Sequence, residues 1–147
     1  MITTYEPIDE LKKYVLHFFI LDWKKLDGDS SISQLCLPTR CSFMGFHLKG
    51  RLKISIDNLL IETKCNYINA QTTRPYHMIA DDDLSAVVIC LKPNAIYHLF
   101  GADLQPIVDN GGDLYFFLGE QLKDVAKSLR SSITPIQKIK ILEEIIR

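Results

Sequence analysis

The stretch at residues 85–91 constrains the fold more than any other part of the sequence, because it is almost continuously apolar over the length of one strand. Such a run predicts a β-strand buried on both faces, and it is far too short to cross a bilayer as a helix. Short segments that alternate apolar and polar residues precede it and are separated by turn-forming residues. They predict an antiparallel β-sandwich or barrel of roughly seven or eight strands. The predicted strands cover residues 14–23, 34–37, 42–48, 52–56, 59–63, 67–69, 75–80 and 85–91.

The pattern changes to helical spacing after residue 92. A short helix is predicted to end at Gly101, because glycine commonly follows the last helical turn. Thr134 and Pro135 predict the start of a terminal helix, as an N-cap followed by proline in the first helical position. A helix over about 114–130 is predicted by the spacing of Leu118, Leu122, Val125 and Leu129. The predicted fold class is α+β, with one domain over residues 1–147, its β part at about 1–92 and a helical cap at about 93–147.

The charge balance argues against nucleic-acid binding by this segment alone. The chain has 17 basic and 18 acidic residues and a net charge of −1, whereas phosphate neutralisation usually requires an excess of positive charge. The N-terminus lacks the basic and small-residue features of a signal peptide. The four cysteines are predicted to be reduced, so we expect a cytoplasmic protein without membrane association.

No motif in the sequence identifies a reaction. His17, His47, His77 and His98 are isolated, and Cys36 and Cys41 lack the spacing of a zinc site. We therefore expect no catalytic residues, no metal site and no cofactor. The three aspartates at 81–83 are interpreted as a solvated hairpin tip, since the spacing of a calcium loop is missing.

Four residues are candidates for a ligand pocket, because such pockets combine aromatic walls with a few polar groups. For each of them, the alternative is a core aromatic or a surface polar side chain. The candidates are Trp23, His47, Arg74 and Tyr76.

Several short motifs occur together and in a fixed order along the chain. They are Tyr5-Glu6-Pro7, Leu37-Pro38 with Cys41, Gln71-Thr72-Thr73-Arg74-Pro75-Tyr76, Leu91-Lys92-Pro93-Asn94-Ala95, and Ser132-Ile133-Thr134-Pro135. In this ordered set the chain resembles the N-terminal sensor domain of AraC-type transcription regulators.

The resemblance implies a cupin-like fold in which a small-molecule effector binds inside the barrel and controls an attached helix-turn-helix DNA-binding domain. That domain is expected beyond residue 147, so DNA would be bound only through it. Two alternatives stay open at this point. One is a cupin-like enzyme or small-molecule-binding protein without a DNA-binding output, and the other is a dimerisation module with a filled barrel.

The C-terminal segment predicts self-association. Four apolar residues form one stripe of the last helix, and a stripe this rich in isoleucine must pack on its own barrel, on a partner, or on both. The resemblance also implies a homodimer. The residues assigned to the dimer interface are Ile139, Leu142, Ile145 and Ile146.

Overall fold

A computed structural model describes residues 2–26, 32–69, 71–101 and 111–146 of the chain, with two antiparallel β-sheets followed by helices. A 3-10 turn covers Asp9–Leu11. The strands are β1 (Ile2–Tyr5), β2 (Val15–Trp23), β3 (Ile32–Cys36), β4 (Ser42–Lys49), β5 (Lys53–Ile56), β6 (Leu59–Glu62), β7 (Asn66–Asn69), β8 (Tyr76–Ala80), β9 (Leu84–Leu91) and β10 (Gly111–Asp113). The helices are α1 (Ala95–Phe100), α2 (Tyr115–Leu118), α3 (Gln121–Ser131) and α4 (Pro135–Ile146).

The strands form two sheets, and no closed barrel is present among the described residues. The six-stranded sheet has the order β1-β2-β9-β4-β7-β10, and the four-stranded sheet has the order β3-β8-β5-β6. The α+β prediction is confirmed, and of the two predicted β architectures the described residues form the sandwich. Ten strands are described, more than were predicted, because short edge strands carry little pattern of their own.

Strand β9 is the central element, because it lies between β2 and β4 and is buried on both faces. Val87 and Ile89 belong to the core formed with the helices, whereas Ala86 and Val88 belong to the core between the two sheets. The molecule therefore has three layers: helices, the six-stranded sheet and the four-stranded sheet. The prediction of a doubly buried strand at residues 85–91 is confirmed.

Helix α4 packs its apolar stripe on the six-stranded sheet of the same chain. Ile139, Leu142, Ile145 and Ile146 are only 6%, 0%, 8% and 5% exposed and belong to the core that contains Phe18. The four side chains assigned to a dimer interface are thus buried within their own chain, and the assignment itself stays a prediction. An apolar helix face packs on the nearest apolar surface, which here is the sheet, and little area is left for a second copy.

The start of α4 follows the prediction in detail. The Gln137 backbone N–H donates to Thr134 Oγ1 at 3.2 Å, and the Gln137 side-chain oxygen accepts the Ile133 and Thr134 N–H groups at 2.8 and 3.1 Å. This reciprocal capping box stabilises the first turn.

The helix predicted over 114–130 is instead divided into α2 and α3 at Gly119, whose φ of +59° favours glycine.

Two edge strands were not predicted. Strand β1 pairs with β2, and β10 pairs with β7, so each lies at one end of the six-stranded sheet. The residues Gly111 and Gly112 by themselves favour a turn, because glycine has low strand propensity. Pairing with β7 decides the local conformation, since it satisfies backbone hydrogen bonds that a glycine pair cannot satisfy by itself.

Gly45 in β4 leaves room for an aromatic ring against the six-stranded sheet. It pairs directly with Tyr67 of β7, and the Tyr67 ring occupies the space that a Cβ atom at position 45 would need. The requirement for glycine is therefore steric at this position. Tyr67 is 4% exposed and faces the space between the two sheets.

The Gly45→Ala substitution is expected to destabilise the protein by about 1–3 kcal/mol, because the added methyl group overlaps the Tyr67 ring. The measurement is urea denaturation of the wild type, Gly45→Ala, Tyr67→Ala and the double variant. In the Tyr67→Ala background, the same change at position 45 should cost clearly less. An equal cost in both backgrounds would contradict this steric account.

Candidate functional site

A cavity of about 330 Å³ lies between the two sheets, at the end where the β3–β4 loop passes. This volume is near the lower end of the range for small-molecule sites. The six-stranded sheet contributes mainly apolar side chains, while the four-stranded sheet contributes polar ones as well. The lining residues are Ile2, Phe19, Leu21, Gln34, Cys36, Leu37, Thr39, Phe43, Tyr67, Asn69, Tyr76, Met78 and Val88.

Strand register explains how distant parts of the sequence meet at this cavity. Phe19 pairs with Val88, Val88 pairs with Gly45, and Gly45 pairs with Tyr67. Directly paired residues point to the same face of a sheet, so these four form one row across four strands. Gly45 has no side chain, and the Tyr67 ring fills its place in the floor of the cavity.

The opposite wall places a thiol beside a phenol. Cys36 of β3 pairs with Tyr76 of β8, so the two side chains lie next to each other on one face of the sheet. Burial raises the pKa of the Cys36 thiol, and burial also raises the pKa of the Tyr76 hydroxyl. Tyr67 has a raised pKa for the same reason. All three groups are therefore neutral at neutral pH.

The cavity lining carries no charged side chain among the described residues. Its polar groups are hydroxyls, carboxamides and the Cys36 thiol. An ion without a partner is costly to remove from water, so the lining favours a neutral molecule over a charged one.

Two threonines join the loops at the rim of the cavity. The Thr39 N–H donates to Thr72 Oγ1 at 3.1 Å, and the Thr72 N–H donates to the Thr39 carbonyl at 2.9 Å. Thr39 Oγ1 also accepts the Cys41 N–H at 3.1 Å. The Gln71–Tyr76 motif noted in the sequence thus fixes the β3–β4 loop through Thr72 and places Tyr76 in the wall.

Of the four predicted pocket residues, only Tyr76 lines this cavity. Trp23 is 6% exposed and belongs to the core between the sheets, next to Leu52 and Leu84. Arg74 forms an ion pair with Asp57 on the surface, at the turn between β5 and β6. The ligand-binding roles assigned to the four residues stay predictions.

His47 is buried beside Tyr67 on the same face of the six-stranded sheet, and both of its ring nitrogens are hydrogen-bonded. Its Nε2 accepts the Leu52 N–H at 3.2 Å, so Nδ1 carries the proton and donates to the carbonyls of Lys64 and Cys65 at 3.2 and 3.0 Å. The ring centroid lies 5.1 Å from that of Tyr67. Burial lowers the pKa of His47, which favours the neutral ring that these bonds require. His47 thus packs against the Tyr67 ring from the side.

Sequence reasoning missed the residues that shape the cavity floor, above all Gly45 and Tyr67. One signal was present in the sequence: Gly45 interrupts the side-chain pattern of the strand predicted at 42–48. A glycine inside a strand often marks the close approach of another group.

The four cysteines are free thiols. Within the described parts of the chain, no three histidine, cysteine or carboxylate side chains are grouped closely enough to hold a metal ion. No helix in residues 2–26, 32–69, 71–101 and 111–146 is both long and apolar enough to span a bilayer.

Comparison with known proteins identifies a domain family. The profile of a family described as a domain of unknown function (DUF6597) matches residues 3–113. No curated protein sequence matches the chain. Among solved structures, the AraC-like transcriptional activator CuxR aligns with a TM-score of 0.43 and 15% sequence identity, over 98% of this chain and 57% of that chain. The chain thus spans little more than half the length of that structure.

His47 is expected to make stability depend on pH. Burial holds the pKa of His47 in the folded chain below the ordinary histidine value of 6.5, so the unfolded chain binds a proton first as the pH falls. The contribution of neutral His47 to the free energy of unfolding is complete well above pH 6.5 and is lost below it. The free energy of unfolding then falls by at most about 1.4 kcal/mol per pH unit. The measurement is urea denaturation between pH 7.5 and pH 5.5 (about one unit to either side of the ordinary histidine pKa).

The His47→Gln variant should lose less stability than the wild type over this pH range. His77→Gln is the control, because His77 is an exposed residue of β8. If His47→Gln retained the full pH dependence of the wild type, His47 would not be its source.

Proposed function

This chain belongs to the DUF6597 domain family, and we propose that it is a ligand-sensing domain that regulates transcription through an attached helix-turn-helix domain. The cavity between the sheets supports this proposal, together with the ordered motifs that resemble AraC-type sensor domains. DNA would be bound by the attached domain, and the sensing domain would act in the cytoplasm. We also assign the two-sheet fold to the cupin-like architecture that this resemblance implies.

The observation that carries the proposal is the uncharged cavity between two sheets. Phe19, Phe43 and Val88 offer apolar contact area, while Gln34 and Tyr76 offer hydrogen-bonding groups from the opposite wall. Small-molecule sites combine these features. The proposed effector is therefore a small, neutral and largely apolar molecule with one or two hydrogen-bonding groups.

The position of the cavity supports a regulatory role. An effector bound there would contact both sheets and the β3–β4 loop, which Thr39 and Thr72 tie to the segment before β8. A ligand shifts a protein between two arrangements only if it binds one of them more tightly. A ligand that contacts both sheets binds two arrangements with different affinities when the spacing between the sheets differs between them.

We propose binding without catalysis at this site. Burial raises the pKa of Cys36, Tyr67 and Tyr76 and keeps each group protonated at neutral pH. A protonated thiol is a poor nucleophile, and a protonated phenol cannot act as a general base. These groups suit hydrogen bonding to a ligand better than they suit chemistry on it.

A thermal-shift screen of small neutral metabolites tests the proposed effector site. A compound at 100 times its Kd should stabilise the wild type by about 2.7 kcal/mol. Tyr76→Phe removes one hydroxyl from the cavity wall and should weaken binding by roughly tenfold if the compound contacts it.

Two variants serve as controls for this screen. Tyr14→Phe makes the same chemical change at a half-buried tyrosine beside the helix core, and Arg74→Gln alters a residue outside the cavity. Both should bind as the wild type does. If no compound stabilises the protein, or if Arg74→Gln abolishes binding while Tyr76→Phe does not, the proposed site is wrong.

We also propose that the domain forms a homodimer through the exposed apolar residues at the start of α4. Ile133 and Ile136 are 87% and 62% exposed, whereas the apolar stripe of α4 is buried on its own sheet. Burying one such side chain in an interface contributes about 1.5–3 kcal/mol. These two residues thus replace the stripe as the proposed contact.

Sedimentation velocity over a concentration series tests the dimer. Ile136→Asp is expected to weaken self-association by more than about tenfold, because a buried carboxylate replaces an apolar contact. Leu59→Asp is the matched control, since Leu59 is also 62% exposed but lies on β6. A monomeric wild type at high concentration would refute the dimer, and an equal effect of both substitutions would place the contact elsewhere.

A further inference from the structure

A second cavity, of about 580 Å³, lies between α3 and the end of the six-stranded sheet. Arg51 reaches it from the turn after β4, Lys64 from the loop before β7, and Lys123 and Arg130 from α3. Four cationic side chains from three separate segments thus surround one concave space. We call it the basic cavity.

Little acidic charge balances the basic cavity. Asp113 is the single acidic lining residue among those described, and its Oδ1 accepts the Tyr115 N–H at 2.9 Å. Lys123 contacts Glu120 at 3.5 Å, but both side chains are at least 75% exposed, so solvent weakens the pair.

The other three cations of the basic cavity have no carboxylate partner in the part of the chain that the structure describes. Among the described residues, Arg51, Lys64 and Arg130 form no ion pair, and Arg130 Nη2 donates only to the Cys65 thiol at 3.7 Å. Concave sites lined by charge of one sign concentrate the opposite ion. This local excess of positive charge exists in a chain whose net charge is −1.

The remaining lining favours an organic anion over a simple ion. Leu122 and Ala126 form an apolar wall, and the Tyr115 ring lies at the edge. The Asn66 side chain also lines the space, and its Oδ1 is buried without a hydrogen-bond partner among the described residues. The Asn66 side chain thus adds a polar group to this lining.

We propose that the basic cavity binds a small phosphorylated molecule, with its phosphate held by Arg51, Lys64 and Arg130. Guanidinium groups match phosphate oxygens with paired N–H donors, and an ammonium group adds a point charge. A phosphate dianion fits three unpaired cations better than a single carboxylate does. The site is distinct from the cavity between the sheets, and the inference does not rest on the proposed effector function.

Isothermal titration calorimetry of the full chain at constant ionic strength provides the test, with inorganic pyrophosphate and ribose 5-phosphate as probes. Both probes should bind saturably with one molecule per chain. The Lys64→Gln/Arg130→Gln double variant should bind at least about tenfold more weakly, because it removes two charge-assisted contacts. Ribose 5-phosphate should bind more tightly than inorganic phosphate, since its sugar adds contacts to the apolar wall and to the Tyr115 ring.

Lys127→Gln is the matched control, because it removes one charge from the exposed side of α3, outside the basic cavity. It should bind both probes within about twofold of the wild type. Thermal melts of each variant report folding, and the single Lys64→Gln variant repeats the test if the double variant is unfolded. A Lys64→Gln variant that binds like the wild type would then overturn the proposal.

Three further results would overturn the proposal. The first is the absence of saturable binding by either phosphate probe. The second is an equal loss in Lys127→Gln, which would indicate diffuse attraction by the helix. The third is tighter binding of citrate or of duplex DNA than of pyrophosphate, which would assign the cavity to carboxylates or to nucleic acid.

Discussion

The ring of Tyr67, lying where Gly45 has no side chain, is the contact on which the interior between the sheets depends. It forms the floor of the inter-sheet cavity on one side and packs against His47 on the other. His47 in turn holds the Lys64 and Cys65 carbonyls and the Leu52 N–H. The side chains of Tyr67 and His47, together with the space left at Gly45, thus connect strands β4 and β7 to the loops that follow β4 and precede β7.

The sequence predicted those elements whose side-chain pattern is compatible with only one kind of structure. Residues 85–91 are apolar at nearly every position, so only a strand covered on both faces can bury them. Thr134 and Pro135 placed the start of α4 correctly, because an N-cap followed by proline is a local signal. The sequence did not predict strands β1 and β10, because their conformation depends on pairing with β2 and β7 and not on their own residues.

The candidate sites were less predictable than the fold, because a site depends on which segments meet. Tyr76 and Trp23 are both aromatic residues at strand ends, yet only Tyr76 faces an open space. Lys123 and Arg130 look like a solvated helix face in the sequence. The fold brings Arg51 and Lys64 from loops far away in the chain to the same helix, and this convergence leaves no periodic pattern.

The place of β9 in the six-stranded sheet also determines when that sheet can form. Strand β2 lies near the N-terminus, but its inner neighbour is β9, so Val15 pairs with Leu91. Strand β4 meets β9 on the other side. A nascent chain emerging from the ribosome therefore holds β2 and β4 without their shared partner until Leu91 has been synthesised. Such nonlocal pairing slows folding, and the apolar faces of both strands stay exposed for that interval.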